Sequence, residues 1–134
     1  MTIPEPVLVF DPDADTAEMY GVGLELAGFR PCLASSDAEA LTVVQQEHPS
    51  AVIADLGPGA ADGWRLIQSL RADRRTREIP IVVLTGRTDP WIGRRAAEFR
   101  CAALLVKPCL PDTLATAVRQ SLAEPVREDG AYDA

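Results

Sequence analysis

The sequence predicts an α/β fold: a five-stranded parallel sheet, doubly wound, with helices on both faces. Three observations predict it. Five short apolar runs recur along the chain, a segment of helical periodicity separates each from the next, and four of the runs lead into Asp11, Asp55, Thr85 and Lys107. Strands that are apolar throughout, rather than alternating, are buried on both faces, as in a parallel sheet covered by helices. Right-handed crossovers then lay the helices over the sheet.

The elements follow in order. Val7 to Phe10 is the first strand, closed by Asp11. From about Asp15 to Ala27, Tyr20, Leu24 and Ala27 recur at helical spacing ahead of Gly28 at the C-terminal cap, with Gly21 and Gly23 weakening the helix. Pro31 to Ala34 is a second strand. Ser36 and Glu39 then form a capping box before Ala40, Leu41 and Val44, in a helix that stops near His48-Pro49. Ala51 to Ala54 is the third strand, and Asp62 caps a helix carrying Leu66, Ile67 and Leu70. Ile81 to Leu84 is the fourth strand, after which Asp89-Pro90 opens a helix with proline at its first position. Leu104 to Val106 is the fifth. Pro111 begins the last helix, through Leu114, Ala117, Val118 and Leu122, and Pro125 ends it. With no repeat and no linker, the expected organisation is one domain over 1–123 and a polar tail over 124–134.

Composition narrows the function. At 134 residues, with 47% hydrophobic and 25% charged residues, the chain is long enough for a single real core without disulfides or metals. A formal charge of -7 repels nucleic-acid backbones and anionic lipid, so neither nucleic acid nor membrane is an expected partner. The start MTIPEPVLVF carries no secretory signature, and no run reaches a membrane span, so a cytoplasmic location is expected. Cys32, Cys101 and Cys109 lack Cys-x-x-Cys spacing and read as free thiols. His48, the one histidine, reads as a solvated residue near a helix end. Its solitude makes a Ser-His-Asp triad implausible.

In a doubly wound sheet, ligands bind beyond the carboxyl ends of the strands. Asp11, Asp55, Thr85 and Lys107 stand at those ends. A dinucleotide site built on Gly57-x-Gly59 is disfavoured, because it follows the third strand and Gly63 falls one residue late. Arg71, Arg74, Arg75 and Arg77 read as a solvated loop, and Arg94 and Arg95 on the fourth helix as either a solvated face or a docking face.

The stretches VLVFDPDADTAEM, AVIADLGPGAADGW, EIPIVVLTG and LLVKP, in that order and spacing, resemble the receiver domain of two-component response regulators, chemotaxis-receiver-like, up to about Leu122. The resemblance implies a flavodoxin-like (βα)5 fold with strand order 2-1-3-4-5. It implies that Asp55 is the phosphoacceptor, Thr85 the hydroxyl that contacts the phosphoryl group, and Lys107 its cationic partner. Asp11, Asp55 and the Gly57 position would hold Mg2+, and Pro108 would follow a cis peptide bond.

Those residue types suit the chemistry. A carboxylate can act as nucleophile toward phosphorus, and phosphoryl transfer asks mainly for positioning and charge neutralisation. Magnesium accepts one or two carboxylates and keeps several waters. Two positions depart from the family. Pro12 stands where a second acid usually follows Asp11, so weaker magnesium binding is expected, with Asp13 as a substitute ligand. Leu104 replaces the usual Tyr or Phe. The loop proline also falls one position early, at Pro58.

The function expected is therefore a single-domain receiver. It would take a phosphoryl group from a histidine kinase or histidine phosphotransfer protein and signal to a protein effector, with a homodimer through the helix-four to helix-five face as a further contact. It would be a phosphoacceptor rather than an enzyme acting on other molecules. The alternative, suggested by Pro12 and Leu104, is a pseudo-receiver that binds partners without being phosphorylated.

Overall fold

Every side chain of the strand Ala51–Leu56 (β3) and of Ile81–Thr85 (β4) is buried, so these two are covered on both faces. The structure is a computed structural model that describes residues 3–56 and 61–124, the side chains of 61 and 62 excepted. Around the central pair run β1 (Pro6–Phe10), α1 (Ala14–Leu26), β2 (Arg30–Ala34), α2 (Asp37–Glu47), α3 (Ala61–Ala72), α4 (Pro90–Glu98), β5 (Ala103–Val106) and α5 (Pro111–Ala123). The strands are parallel in the order β2-β1-β3-β4-β5, as the resemblance implies.

Successive strand residues point to opposite faces, and that alternation sorts the core into two layers. Leu8, Phe10, Val52, Ala54, Ile81 and Val83 face α2, α3 and α4, where Val44, Leu66, Ile67, Leu70 and Ile92 close over them. Val7, Val9, Ala51, Ile53, Val82 and Leu84 face α1 and α5, meeting Tyr20, Leu24, Leu114 and Val118. Residues one position apart in the sequence therefore hold opposite sides of the molecule together.

Local chemistry sets the helix ends. Asp13 caps α1: its Oδ1 accepts the Asp15 N–H at 3.1 Å and its Oδ2 the Thr16 hydroxyl at 2.9 Å. Ser36 Oγ accepts the Glu39 N–H at 3.1 Å to start α2, but the Glu39 carboxylate takes the Ser35 hydroxyl instead of closing the box on Ser36. His48 ends α2 in the left-handed region at φ 48° and is exposed. Pro90 and Pro111 occupy first positions of α4 and α5.

Four expectations need correction. Strand β3 runs two residues past Ala54 and β4 one past Leu84, so Asp55 and Thr85 lie inside paired strand. Helix α3 begins at Ala61, which puts Asp62 within it rather than at its cap. Gly23 does not simply weaken α1: a Cβ there would sit 2.4 Å from Pro111 Cβ, so glycine is what lets α1 meet the start of α5.

Arg71 is the fourth correction. It is no solvated residue: from the last turn of α3 its guanidinium donates to the carbonyls of Ile79 at 2.6 Å, Phe99 at 2.7 Å, Arg77 at 3.0 Å and Arg100 at 3.3 Å. Burial lowers its pKa to about 10, still well above neutrality. Arg74, Arg75 and Arg77 are exposed as expected. Pro125 and the tail lie outside the described residues.

Candidate functional site

Strand register fixes the site. Phe10 pairs with Ala54, Asp55 with Leu84, Leu56 with Thr85 and Thr85 with Val106. The residues after those pairs, or within them, thus bring Asp11, Asp55, Thr85 and Lys107 to the carboxyl edge of neighbouring strands. Backbone bonds hold the edge in line: the Asp11 N–H donates to Ala34 O at 3.0 Å and the Lys107 N–H to Thr85 O at 2.8 Å.

The side chains converge. Lys107 Nζ donates a hydrogen bond to Asp55 Oδ2 and lies 3.5 Å from Asp11 Oδ2. Asp11, Asp55 and Thr85 are buried, with Lys107 reaching in from a half-buried position. Asp11 Oδ1 accepts the Asp13 N–H at 2.9 Å. Thr85 Oγ1 accepts the Arg87 N–H at 3.0 Å, which leaves its own proton available to a ligand oxygen. The Lys107-Pro108 peptide bond is cis.

Two carboxylates share one ammonium, so the site carries an uncompensated negative charge. Burial, then the neighbouring Asp11 carboxyl, push the Asp55 carboxyl up to about 7 against the pull of Lys107. Burial works against the Lys107 ammonium, but the hydrogen bond to Asp55 and the fields of both acids outweigh it and raise its pKa. Lys107 alone does not neutralise the pair.

The donor set fits Mg2+. Asp11 Oδ2 and Asp55 Oδ1 are buried oxygens with no hydrogen-bond partner among the described residues. Hard carboxylate oxygens with unused lone pairs in an electronegative recess are what this cation accepts, water completing its shell. Asp13 is placed differently from the other acids, because the helix cap occupies both of its oxygens. Gly57, like the rest of the Gly57-Pro58-Gly59 loop, lies outside the described residues. Among those residues no cluster of three or more His, Cys, Asp or Glu could hold a metal.

Other singled-out residues take structural roles. Leu104 packs half-buried against the α2–α4 layer, opposite Val83. Cys32, Cys101 and Cys109 are free, and burial raises each thiol, Cys101 to about 12, so none is an activated nucleophile. Arg94 is exposed, while Arg95 stacks over Trp64 and Phe99. Sequence reasoning missed that stack, although the four-residue spacing of Arg95 and Phe99 along a helix was a signal. It also missed Tyr20, whose hydroxyl donates to Cys109 O at 3.4 Å and ties α1 to the loop after Lys107.

The family model described as the response regulator receiver domain matches residues 7–119. Response regulator Rre1 of Synechocystis is 33% identical over the whole of this chain, which spans 57% of that protein. DNA-binding response regulator MtrA of Mycobacterium tuberculosis is 33% identical over 90% of this chain and 52% of its own length. The chain therefore spans about half the length of the curated relatives it matches. In fold, it is similar to chemotaxis protein CheY4 of Vibrio cholerae, with a TM-score of 0.81 at 24% identity, covering 88% of this chain and 98% of that one.

Proposed function

The chain belongs to the response regulator receiver family, and from that premise we propose that residues 1–123 form a receiver domain phosphorylated on Asp55, with 124–134 a tail. The observation that carries the reading is the meeting of Asp11, Asp55, Thr85 and Lys107 at one sheet edge, with an oxygen of each acid accepting no hydrogen bond among the described residues. In the transfer, an Asp55 carboxylate oxygen forms a bond to phosphorus as the P–N bond of a phosphohistidine breaks. The electron pair returns to the imidazole nitrogen, which takes up a proton, and Asp55 becomes an acyl phosphate.

Each neighbour has a part. Lys107 hydrogen-bonds Asp55 before transfer and, on its mobile stem, can follow the charge onto a phosphoryl oxygen. Thr85 offers its hydroxyl proton to another. Asp11 and Asp55 would hold Mg2+, the Gly57 carbonyl being the third protein position the family implies. When bound, the cation supplies the positive charge that lets two acids and a phosphate share the recess. Pro12 adds no ligand and Asp13 is committed to α1, so phosphorylation should need more magnesium than in a receiver with paired acids.

The phosphodonor would be a histidine kinase or histidine phosphotransfer protein, and the compartment the cytoplasm. Among the described residues no helix is long and apolar enough to cross a membrane. A groove of about 890 Å³ between α1 and α5, lined by Met19, Val22, Leu26 and Leu110, begins three residues beyond Lys107 and gives such a donor an apolar seat beside the site. The signal would leave by contact with a protein effector or a second copy through α4 and α5. The test is intact mass after incubation with acetyl phosphate and magnesium. One phosphoryl adduct in wild type and none in Asp55→Ala is expected. No adduct at any magnesium concentration would overturn the reading in favour of a phosphorylation-independent receiver.

A further inference from the structure

Between α3 and α4 lies a guanidinium that no acid among the described residues pairs with. Arg95 sits 5.3 Å over the Trp64 ring and 5.9 Å over that of Phe99, and the Trp64 and Trp91 ring centroids are 6.3 Å apart. Stacking orders a planar guanidinium while leaving its edge donors to be matched. Here nothing matches them: among the described residues Arg95 has no hydrogen-bond or ion-pair partner, and its Nε is buried, as is the equally unpartnered Trp64 Nε1. Asp89, which precedes α4, is ion-paired to Arg87 at 2.8 Å, although its Oδ2 accepts no hydrogen bond among the described residues. A half-buried cation with unmet donors is costly in the isolated molecule, and an incoming acceptor removes that cost.

The surroundings say what kind of acceptor. Arg94 is exposed beside Arg95, and Trp91 is 40% exposed on the same helix. Residues 61–100, which include α3, α4 and their connections, hold nine of the chain's thirteen basic residues against five carboxylates. The rest of the chain holds four basic residues against fifteen carboxylates. An acidic partner is repelled elsewhere and drawn to this side. Arginine and tryptophan are also the side chains that most often anchor protein interfaces.

We propose that the α3–α4 face docks an acidic, partly apolar segment of a partner protein. A carboxylate of that segment pairs with Arg95 and Arg94, and an apolar side chain covers Trp91. This docking does not depend on phosphorylation of Asp55.

The test uses the full chain and three labelled 12-residue peptides that alternate leucine with glutamate, glutamine or lysine, followed by fluorescence anisotropy and by tryptophan emission. Saturable binding of the glutamate peptide alone, weakened by salt, is expected. Arg95→Gln and Trp91→Ala should each raise its Kd about tenfold or more, with Arg95→Lys, which keeps the charge but not the stack, in between. Arg119→Gln, on the α5 side, should leave it unchanged. Thermal melts confirm that each variant is folded. No saturable binding, equal binding of the lysine peptide, or wild-type affinity in folded Arg95→Gln would overturn the proposal. So would complete displacement of the peptide by citrate at equal charge concentration, which would mean that the face takes small anions only.

Discussion

The two faces of this molecule are fastened in opposite ways. On one, α1 and α5 meet backbone to backbone, with Gly23 against Pro111 and the Arg119 guanidinium donating to Ala27 O at 3.2 Å. On the other, little close backbone packing joins α4 to any helix, and side chains span the gap: Trp64, Trp91, Phe99 and Arg95, with Arg71 clamping the turn that follows α4. Helix α4 buries only Ile92 and Ala96. Among the described residues the α1–α5 contact leaves no buried side-chain donor unmet, whereas the bridged face leaves two, Trp64 Nε1 and Arg95 Nε. The candidate site lies on the seam between them, because Asp11 follows β1 and Asp55 lies near the end of β3, two strands that feed both layers.

Breaking the bridged face should have the largest effect. Arg71→Ala leaves four carbonyls without their donor and is expected to cost about 2–4 kcal/mol of stability, read by urea unfolding. A variant within about 0.5 kcal/mol of wild type would mean that water replaces the clamp freely.

The closed face offers a change of sign. In an open helix Gly→Ala stabilises by about 0.5–1 kcal/mol. Gly23→Ala should instead destabilise by about 1–2 kcal/mol, since a new Cβ meets the rigid Pro111 ring. Stabilisation in the same urea experiment would show that α1 and α5 are not in contact as described.

The effect at the seam depends on pH. The Asp55 pKa is raised in the folded protein to about 7 from an ordinary value of 3.8, so the native state holds a proton that the unfolded state releases. Its contribution to stability is fully present below about pH 4 and is lost as pH rises through 7. In magnesium-free buffer, Asp55→Asn should therefore gain Tm relative to wild type, by more near pH 8 than near pH 5. An offset that does not vary with pH would remove the claim of a strained carboxylate.

Much of this was legible in the residues. The five apolar runs became the five strands because central parallel strands need no polar face, and the prolines at 90 and 111 mark helix starts by the chemistry of a missing N–H. Asp11, Asp55, Thr85 and Lys107 could be named because strand ends in such a sheet converge. What stayed hidden was tertiary. Nothing local tells Arg71 from its neighbours Arg74, Arg75 and Arg77; only the fold brings four carbonyls around one of them. Gly23 looked like a flaw in a helix because Pro111 is far away in sequence. Asp13 read as a substitute ligand, and the helix start overrides that reading through the bonds to Asp15 and Thr16.

The central claim is that Asp55 carries the phosphoryl group as an acyl phosphate. Borohydride reduces an aspartyl phosphate to homoserine, so protein treated with acetyl phosphate and magnesium, then reduced and digested, reports the acceptor by peptide mass. Homoserine at position 55, dependent on the phosphodonor and on magnesium, is the predicted result. Homoserine at another aspartate, or a phosphoryl adduct that leaves position 55 unreduced, would contradict it.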